Sequence, residues 1–294
     1  MIITNKHNLP KPFVRAVTPK RDPWERRGGA HISVTELLGP PRIKQLSDAN
    51  WDQIVVDASD LLWMMFGSVA HDILHRNSGR EFAERRLNVT VDGMVISGQV
   101  DLVEESDEGR KIVDYKMTSV WAYILGRQEW EEQLNVYRYL LIKNGEDDVV
   151  GLENVLMLKD WRKADTDKEG YPEDKVVKIV HPLWPLEKTE AFIRGRVAEH
   201  RRVMPECNPI ERMRKGDMWA IQKPNAARAT KVFDSEFAAK GFLKQCHDEG
   251  KTELVLVPRP GEDKRCLDFC RVAEFCDYGR MVRGLPPIST AEPE

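Results

Sequence analysis

Between Asn50 and His75, apolar residues recur at Ile54, Leu61, Leu62, Met65, Val69 and Ile73, which is the spacing of one helix face. Asn77-Ser78-Gly79 supplies a stop for that helix. The period then shortens to two. Leu87-Asn88-Val89-Thr90-Val91 alternates as a strand does, Asp92-Gly93 is a tight-turn pair, and Met94 to Val103 reads as the return strand of a hairpin. After the polar turn Glu105 to Gly109, a third strand is expected over Lys111 to Met117. A helix follows over Glu129 to Ile142, ended by Asn144-Gly145.

Val155–Leu158 and Val176–Val180 read as further strands, and Pro185 to Val203 as a helix opened by proline. Beyond Pro205 the pattern gives short strands at Met218–Ile221, Thr230–Phe233 and Leu254–Val257. A helix capped by Asp234 runs to about His247, and a short final helix carries the last cysteines. Residues 1–30 are polar, contain several prolines and show no period, as expected of a loosely attached arm. A short element, Ile32 to Leu38, stops at Gly39-Pro40-Pro41. The expected class is α/β. Its divisions are an arm and lead-in element at 1–47, a core at 48–204, a small α/β module at 205–284 and a tail at 285–294.

Composition changes this picture little. The net charge of −3 over 294 residues is no signature of nucleic-acid binding. A basic surface would have to be local, at Lys20-Arg21, Arg26-Arg27, Arg85-Arg86 or Arg194/Arg196/Arg201/Arg202. No run is long and apolar enough to span a membrane, and the first residues, MIITNKHNLPKPF, lack the apolar stretch of a secretory signal. A cytoplasmic protein, in a bacterium or a phage-infected cell, is the expectation.

The sharpest chemistry lies in Gly98-Gln99-Val100-Asp101 followed by Val113-Asp114-Tyr115-Lys116. Side chains alternate along a strand, so Asp114 and Lys116 share a face, and a hairpin would bring Asp101 beside them. Two adjacent carboxylates repel unless a cation or proton intervenes. Hard oxygen donors suit Mg²⁺ or Mn²⁺, and a nearby lysine can orient an attacking water. His71-Asp72-Ile73-Leu74-His75 offers a second pattern, close to the zinc-hydrolase H-E-x-x-H with Asp in place of Glu.

Four segments together resemble the PD-(D/E)xK nuclease superfamily, and within it the RecB-like branch. They are Gly67-Ser68-Val69-Ala70-His71, Gly98 to Asp101, Asp114-Tyr115-Lys116, and Gln133-Leu134-Asn135-Val136-Tyr137, in that order. The resemblance covers roughly Ile32 to Leu141. It implies a restriction-endonuclease-like core, a central mixed sheet flanked by helices. It also implies metal ligands in His71, Asp101, Asp114 and the Tyr115 carbonyl, and catalytic or bordering roles for Lys116, Gln133 and Tyr137. The implied activity is a DNA exonuclease of recombination or repair. The alternative is a DNA-end-binding subunit active only within a larger complex. The sequence contains no G-x-x-x-x-G-K-[ST] loop, so a motor would come from a helicase or recombination partner; a homo-oligomer is the other assembly considered.

Cys266, Cys270 and Cys276 form a C-x3-C-x5-C cluster, and Cys207 is the candidate fourth ligand; Cys246 falls within a helical pattern and reads as a buried thiol. Some RecB-like nucleases hold a [4Fe–4S] cluster on one cysteine before the core and three after it. Here Pro40-Pro41-Arg42 stands where the leading cysteine is expected. The alternatives are an iron–sulfur cluster completed by Cys207, a Zn²⁺ site, or no metal.

Overall fold

The computed structural model describes residues 1–78, 85–146 and 148–288. The chain forms two compact units, one from Met1 to Pro205 and one beginning at Glu206. In the first unit, strand β1 (Ile2–Thr4) is followed by helices α1 (Lys11–Val17) and α2 (Pro23–Arg26), strand β2 (Ile32–Ser33) and helices α3 (Val34–Leu38) and α4 (Pro41–Ala49). Next come β3 (Val55–Asp57), α5 (Leu62–Asn77), β4 (Arg85–Val91), β5 (Met94–Val100), β6 (Leu102–Ser106) and β7 (Gly109–Thr118). Helices α6 (Val120–Leu125) and α7 (Gln128–Lys143), strands β8 (Val149–Leu158) and β9 (Val176–His181), and helix α8 (Leu186–Arg201) complete it.

The main sheet has the order β6-β7-β8-β9. Its central pair, β7 and β8, is parallel and both outer pairs are antiparallel. A parallel pair needs a long crossover, which α6 and α7 supply. A second sheet, β2-β5-β4, contains the expected hairpin, whose turn residues Asp92 and Gly93 both take positive φ, 46° and 76°. That is the turn geometry matching strand twist. The return strand is not continuous to Val103. The chain bends at Asp101, the single residue between β5 and β6, and passes there from one sheet to the other.

Helix α7 is the packing hub, burying Leu134, Val136, Tyr137, Leu140 and Leu141 against Ile96, Ile112 and Leu152. Each fully buried Leu or Ile contributes about 1.5–3 kcal/mol. The helix ends at Gly145, φ 92°, where Gly145 N bonds Ile142 O and Glu146 N bonds Leu141 O. Those two bonds satisfy carbonyls that the last turn leaves open.

Other differences from the sequence reading have local causes. The first residues are not a loose arm, because Ile2–Thr4 pairs in parallel with Val55–Asp57. Asp57 accepts hydrogen bonds from Thr4 Oγ1 and Lys6 N at 2.9 and 2.8 Å. That pairing takes Val55–Asp57 out of the helix expected from Asn50, and α5 begins only at Leu62. The lead-in element stops at Gly39 as expected, but Pro41 then starts a helix, α4, that the sequence reading did not include, since the first helical position needs no N–H. Gly79, part of the expected helix stop, and residues 289–294 of the tail lie outside the described residues.

The second unit contains a three-stranded antiparallel sheet, β11 (Lys231–Phe233), β10 (Met218–Gln222) and β12 (Val255–Arg259) in that order. Helix α9 (Glu236–Asp248) packs Ala239 and Cys246 against Ile221 and Leu254. Its cap is Ser235, whose Oγ accepts from Ala238 N, not Asp234. The expected final helix is instead a π turn at Arg265–Phe269, a 3₁₀ turn at Ala273–Phe275 and α10 (Asp277–Val282). Among the described residues, no helix is long and apolar enough to cross a membrane.

Candidate active site

Strand β7 delivers Asp114 into the interior, with 2% of its surface exposed, and Lys116 follows on the same face. The Lys116 ammonium lies 3.0 and 2.8 Å from the two Asp114 carboxylate oxygens. It also donates to Gln133 Oε1 at 2.9 Å, and Gln133 Nε2 donates to Tyr137 OH at 2.9 Å. Gln133 and Tyr137 are one turn apart on α7, so the helix presents both to the strand. Asp114, Lys116, Gln133 and Tyr137 thus form one hydrogen-bonded chain.

Asp101 joins through the bend between the sheets. Its Oδ2 accepts from Tyr115 N at 3.0 Å, and its Oδ1 lies 3.4 Å from His71 Nδ1. The His71 ring meets the Tyr115 ring edge-on at 6.5 Å. Asp101, as hydrogen-bond acceptor and as a charge, holds the His71 pKa above its ordinary value. Burial pushes the Asp114 carboxyl upward, Asp101 adds to the rise, and Lys116 opposes it. Burial likewise raises the Tyr137 phenol, with the Asp114 charge contributing. The centre thus sets two carboxylates together, with Lys116 and His71 as their counter-charges.

Gly98 has a steric role. A Cβ there would stand 2.7 Å from Leu140 Cδ2 and 3.0 Å from Tyr137 Cε1, so only glycine lets α7 approach β5 this closely. Gly67 is different, because nothing lies within 4 Å of its missing side chain.

Two residues in the network were not singled out in the sequence. Asn154, fully buried on β8 opposite Asp114, donates to Asp114 Oδ2 at 2.7 Å and to the Asp114 carbonyl at 3.3 Å. His181 Nε2 lies 2.8 Å from Asn154 Oδ1 and fixes the amide's orientation. Asn154 stands between Glu153 and Val155, just before the strand expected from Val155, so no local pattern marked it. The zinc-hydrolase pattern finds no such support: Asp72 pairs with Arg76, whose Nε is 3.1 Å from Oδ1, on the exposed side of α5.

The donor chemistry suits a hard divalent cation, which would relieve the repulsion between Asp101 and Asp114. As they stand, these carboxylates are paired with His71 and Lys116. Among the described residues, no three His, Cys, Asp or Glu side chains converge tightly enough to hold a metal ion.

In the second unit, Cys266 lies in the π turn, Cys270 caps its end and Cys276 caps α10. Burial pushes the Cys207 thiol up to about 12, with the charges of Glu211, Cys276, Cys270 and Cys266 adding to it. Cys246 is buried in the α9 core, apart from that group.

Several arginines proposed as a basic surface are used within the fold. Arg27 is buried and bonded to Glu36 and Asp48. Arg196 donates to the Leu37 and Gly39 carbonyls, and Arg194 and Arg201 hold Asp92.

Over residues 40–277 the sequence matches the PD-(D/E)XK nuclease superfamily. The chain belongs to that superfamily, whose members are typically metal-dependent nucleases that use divalent ions such as Mg²⁺. One solved structure, described as "Crystal structure of SSO0001", aligns at 15% identity over 64% of this chain and 82% of its own, with a TM-score of 0.41. No curated protein matches the chain.

Proposed function

We propose that the protein is a Mg²⁺- or Mn²⁺-dependent DNA nuclease of the RecB-like branch, working as an exonuclease in recombination or repair. The observation that carries the nuclease reading is the chain from buried Asp114 through Lys116 and Gln133 to Tyr137, with Asp101 and His71 beside it. His71, Asp101, Asp114 and the Tyr115 carbonyl would hold the cation. A bound divalent ion supplies a Lewis acid for the phosphate and makes water a stronger nucleophile. Lys116 orients the attacking water and offsets charge developing on the phosphate. Gln133 keeps the ammonium head in place, Tyr137 keeps Gln133 in place, and Asn154 holds Asp114 in one rotamer. The exonuclease mode, the repair setting and a helicase or recombination partner are carried by the RecB-like resemblance.

A time course on end-labelled and internally labelled DNA and RNA, with Mg²⁺ or Mn²⁺, tests this reading. Metal-dependent release of short products from DNA ends is expected. No hydrolysis of any strand would overturn it.

The proposal extends to Cys207, Cys266, Cys270 and Cys276 as ligands of one centre, iron–sulfur or Zn²⁺. Soft thiolates suit both. The four thiols lie close enough to influence one another's charge, yet none converge to ligand geometry, so the segments would close on the metal as it binds. Protein purified without oxygen should carry stoichiometric iron and sulfide, or stoichiometric zinc. Finding neither metal would overturn this part.

A further inference from the structure

We infer that Trp63, backed by Lys159, is a base-stacking platform, and that the site takes its nucleic acid as a single strand. This rests on the nuclease reading above.

Helix α5 buries none of its residues, and Trp63, Met64, Phe66, Val69 and Ile73 are all exposed on it. Trp63 stands apart from the others because it is both open and held. More than half of its surface is exposed, yet Lys159 Nζ sits 4.1 Å from its ring centroid and Phe66 packs at 5.9 Å. Lys159 directly follows β8, and its N–H donates to Thr118 O at 2.9 Å at the end of β7. The platform is therefore anchored to the two strands that carry Asp114 and Asn154.

Trp63 precedes His71 by eight residues on one helix, about 12 Å at ~1.5 Å per residue. Positions 63, 67 and 71 fall along one stripe, and at its middle Gly67 leaves open space where a side chain would be. Met64, Gly67, Ser68, His71, Asp72 and His75 line an open pocket there. A strand whose phosphate sits at Asp101 and His71 could run over Gly67 and place a neighbouring base on the indole, its backbone beside the Lys159 ammonium. Away from its ends, a duplex keeps its bases stacked on each other and offers no free face. An unpaired strand does, and aromatic rings accept any base.

The test is fluorescence anisotropy of the full chain in EDTA, with fluorescein-labelled dT12 and a fluorescein-labelled 12-base-pair duplex as probes. The wild type should bind dT12 more tightly than the duplex. Trp63→Ala should weaken dT12 binding at least about fivefold and leave duplex binding unchanged, and Trp63→Phe should restore part of the loss. Trp121→Ala, at another exposed tryptophan, should change neither. Duplex preference in the wild type, no dT12 binding, or unchanged dT12 binding by Trp63→Ala would overturn the inference; an apolar face serving a protein partner would give the last result. Cleavage of DNA by the wild type alongside any of these leaves the nuclease reading standing. Binding as expected without cleavage by the wild type would sink that reading instead.

Discussion

Asn154 donates its side-chain amide to Asp114 Oδ2 at 2.7 Å across the parallel pair β7–β8. Both groups are buried, so the bond fixes one carboxylate rotamer where no water can substitute for it. Asn154→Ala should lower the cleavage rate at least tenfold. It should also cost about 1–3 kcal/mol of stability, because Asp114 loses a donor in a dry site. Steady-state rates and thermal unfolding of the same preparation separate the two effects. A variant with wild-type turnover would remove Asn154 from the active-site network.

The two motif glycines should respond in opposite ways. Gly98→Ala forces a Cβ to within 2.7 Å of Leu140 and displaces α7 with Gln133 and Tyr137 on it. A destabilisation of about 1–3 kcal/mol is expected, together with lost cleavage. Gly67→Ala meets no neighbour and sits inside a helix, so stability should rise by up to about 1 kcal/mol. Thermal unfolding of both variants checks this contrast; equal destabilisation would contradict it.

Much of this centre was legible because its residues sit on strongly patterned elements. Asp114 and Lys116 lie at alternate positions of a strand, and Gln133 and Tyr137 lie one helical turn apart, so periodicity alone put each pair on one face. Asp101 was singled out from its motif and lies beside Tyr115 N and His71, but its position at the junction of two sheets was hidden, because Met94 to Val103 reads as one uninterrupted strand. Asn154 was missed since its partner comes from cross-strand register, which no local period reveals. The pairing of Ile2–Thr4 with Val55–Asp57 was missed for the same reason: three-residue strands far apart in sequence carry almost no pattern.

Acid should weaken the first unit through His200. Its imidazole is buried on α8 and faces the Leu37 carbonyl, with Arg196, Lys44 and Glu36 acting on it, and burial holds its pKa down at about 4. The unfolded chain takes up this proton near pH 6.5, before the folded chain does. The stabilisation is therefore complete above that pH and is lost as pH falls from about 6.5 toward 4. The loss should reach on the order of 2–3 kcal/mol at the lower end. Denaturant melts of wild type and His200→Gln across that range should show a shallower pH dependence in the variant. Parallel curves would contradict the assignment.

Asp72 should be dispensable, since it is an exposed partner of Arg76 and takes no part in the Asp101–Asp114 centre. Asp72→Ala is expected to cleave within about twofold of wild type, as surface changes usually have small effects. Abolished hydrolysis in this variant, with Asp101→Ala unaffected, would restore the zinc-hydrolase reading.

The most direct test of the nuclease assignment is the cleavage rate of Lys116→Ala on end-labelled DNA in Mg²⁺ and Mn²⁺, with folding checked by circular dichroism. Lys116 is bonded to both Asp114 and Gln133, so its removal takes away the positioned charge while sparing the apolar core. A folded variant at least about a hundredfold slower than wild type is the expected result. A folded variant cleaving at the wild-type rate would contradict the assignment.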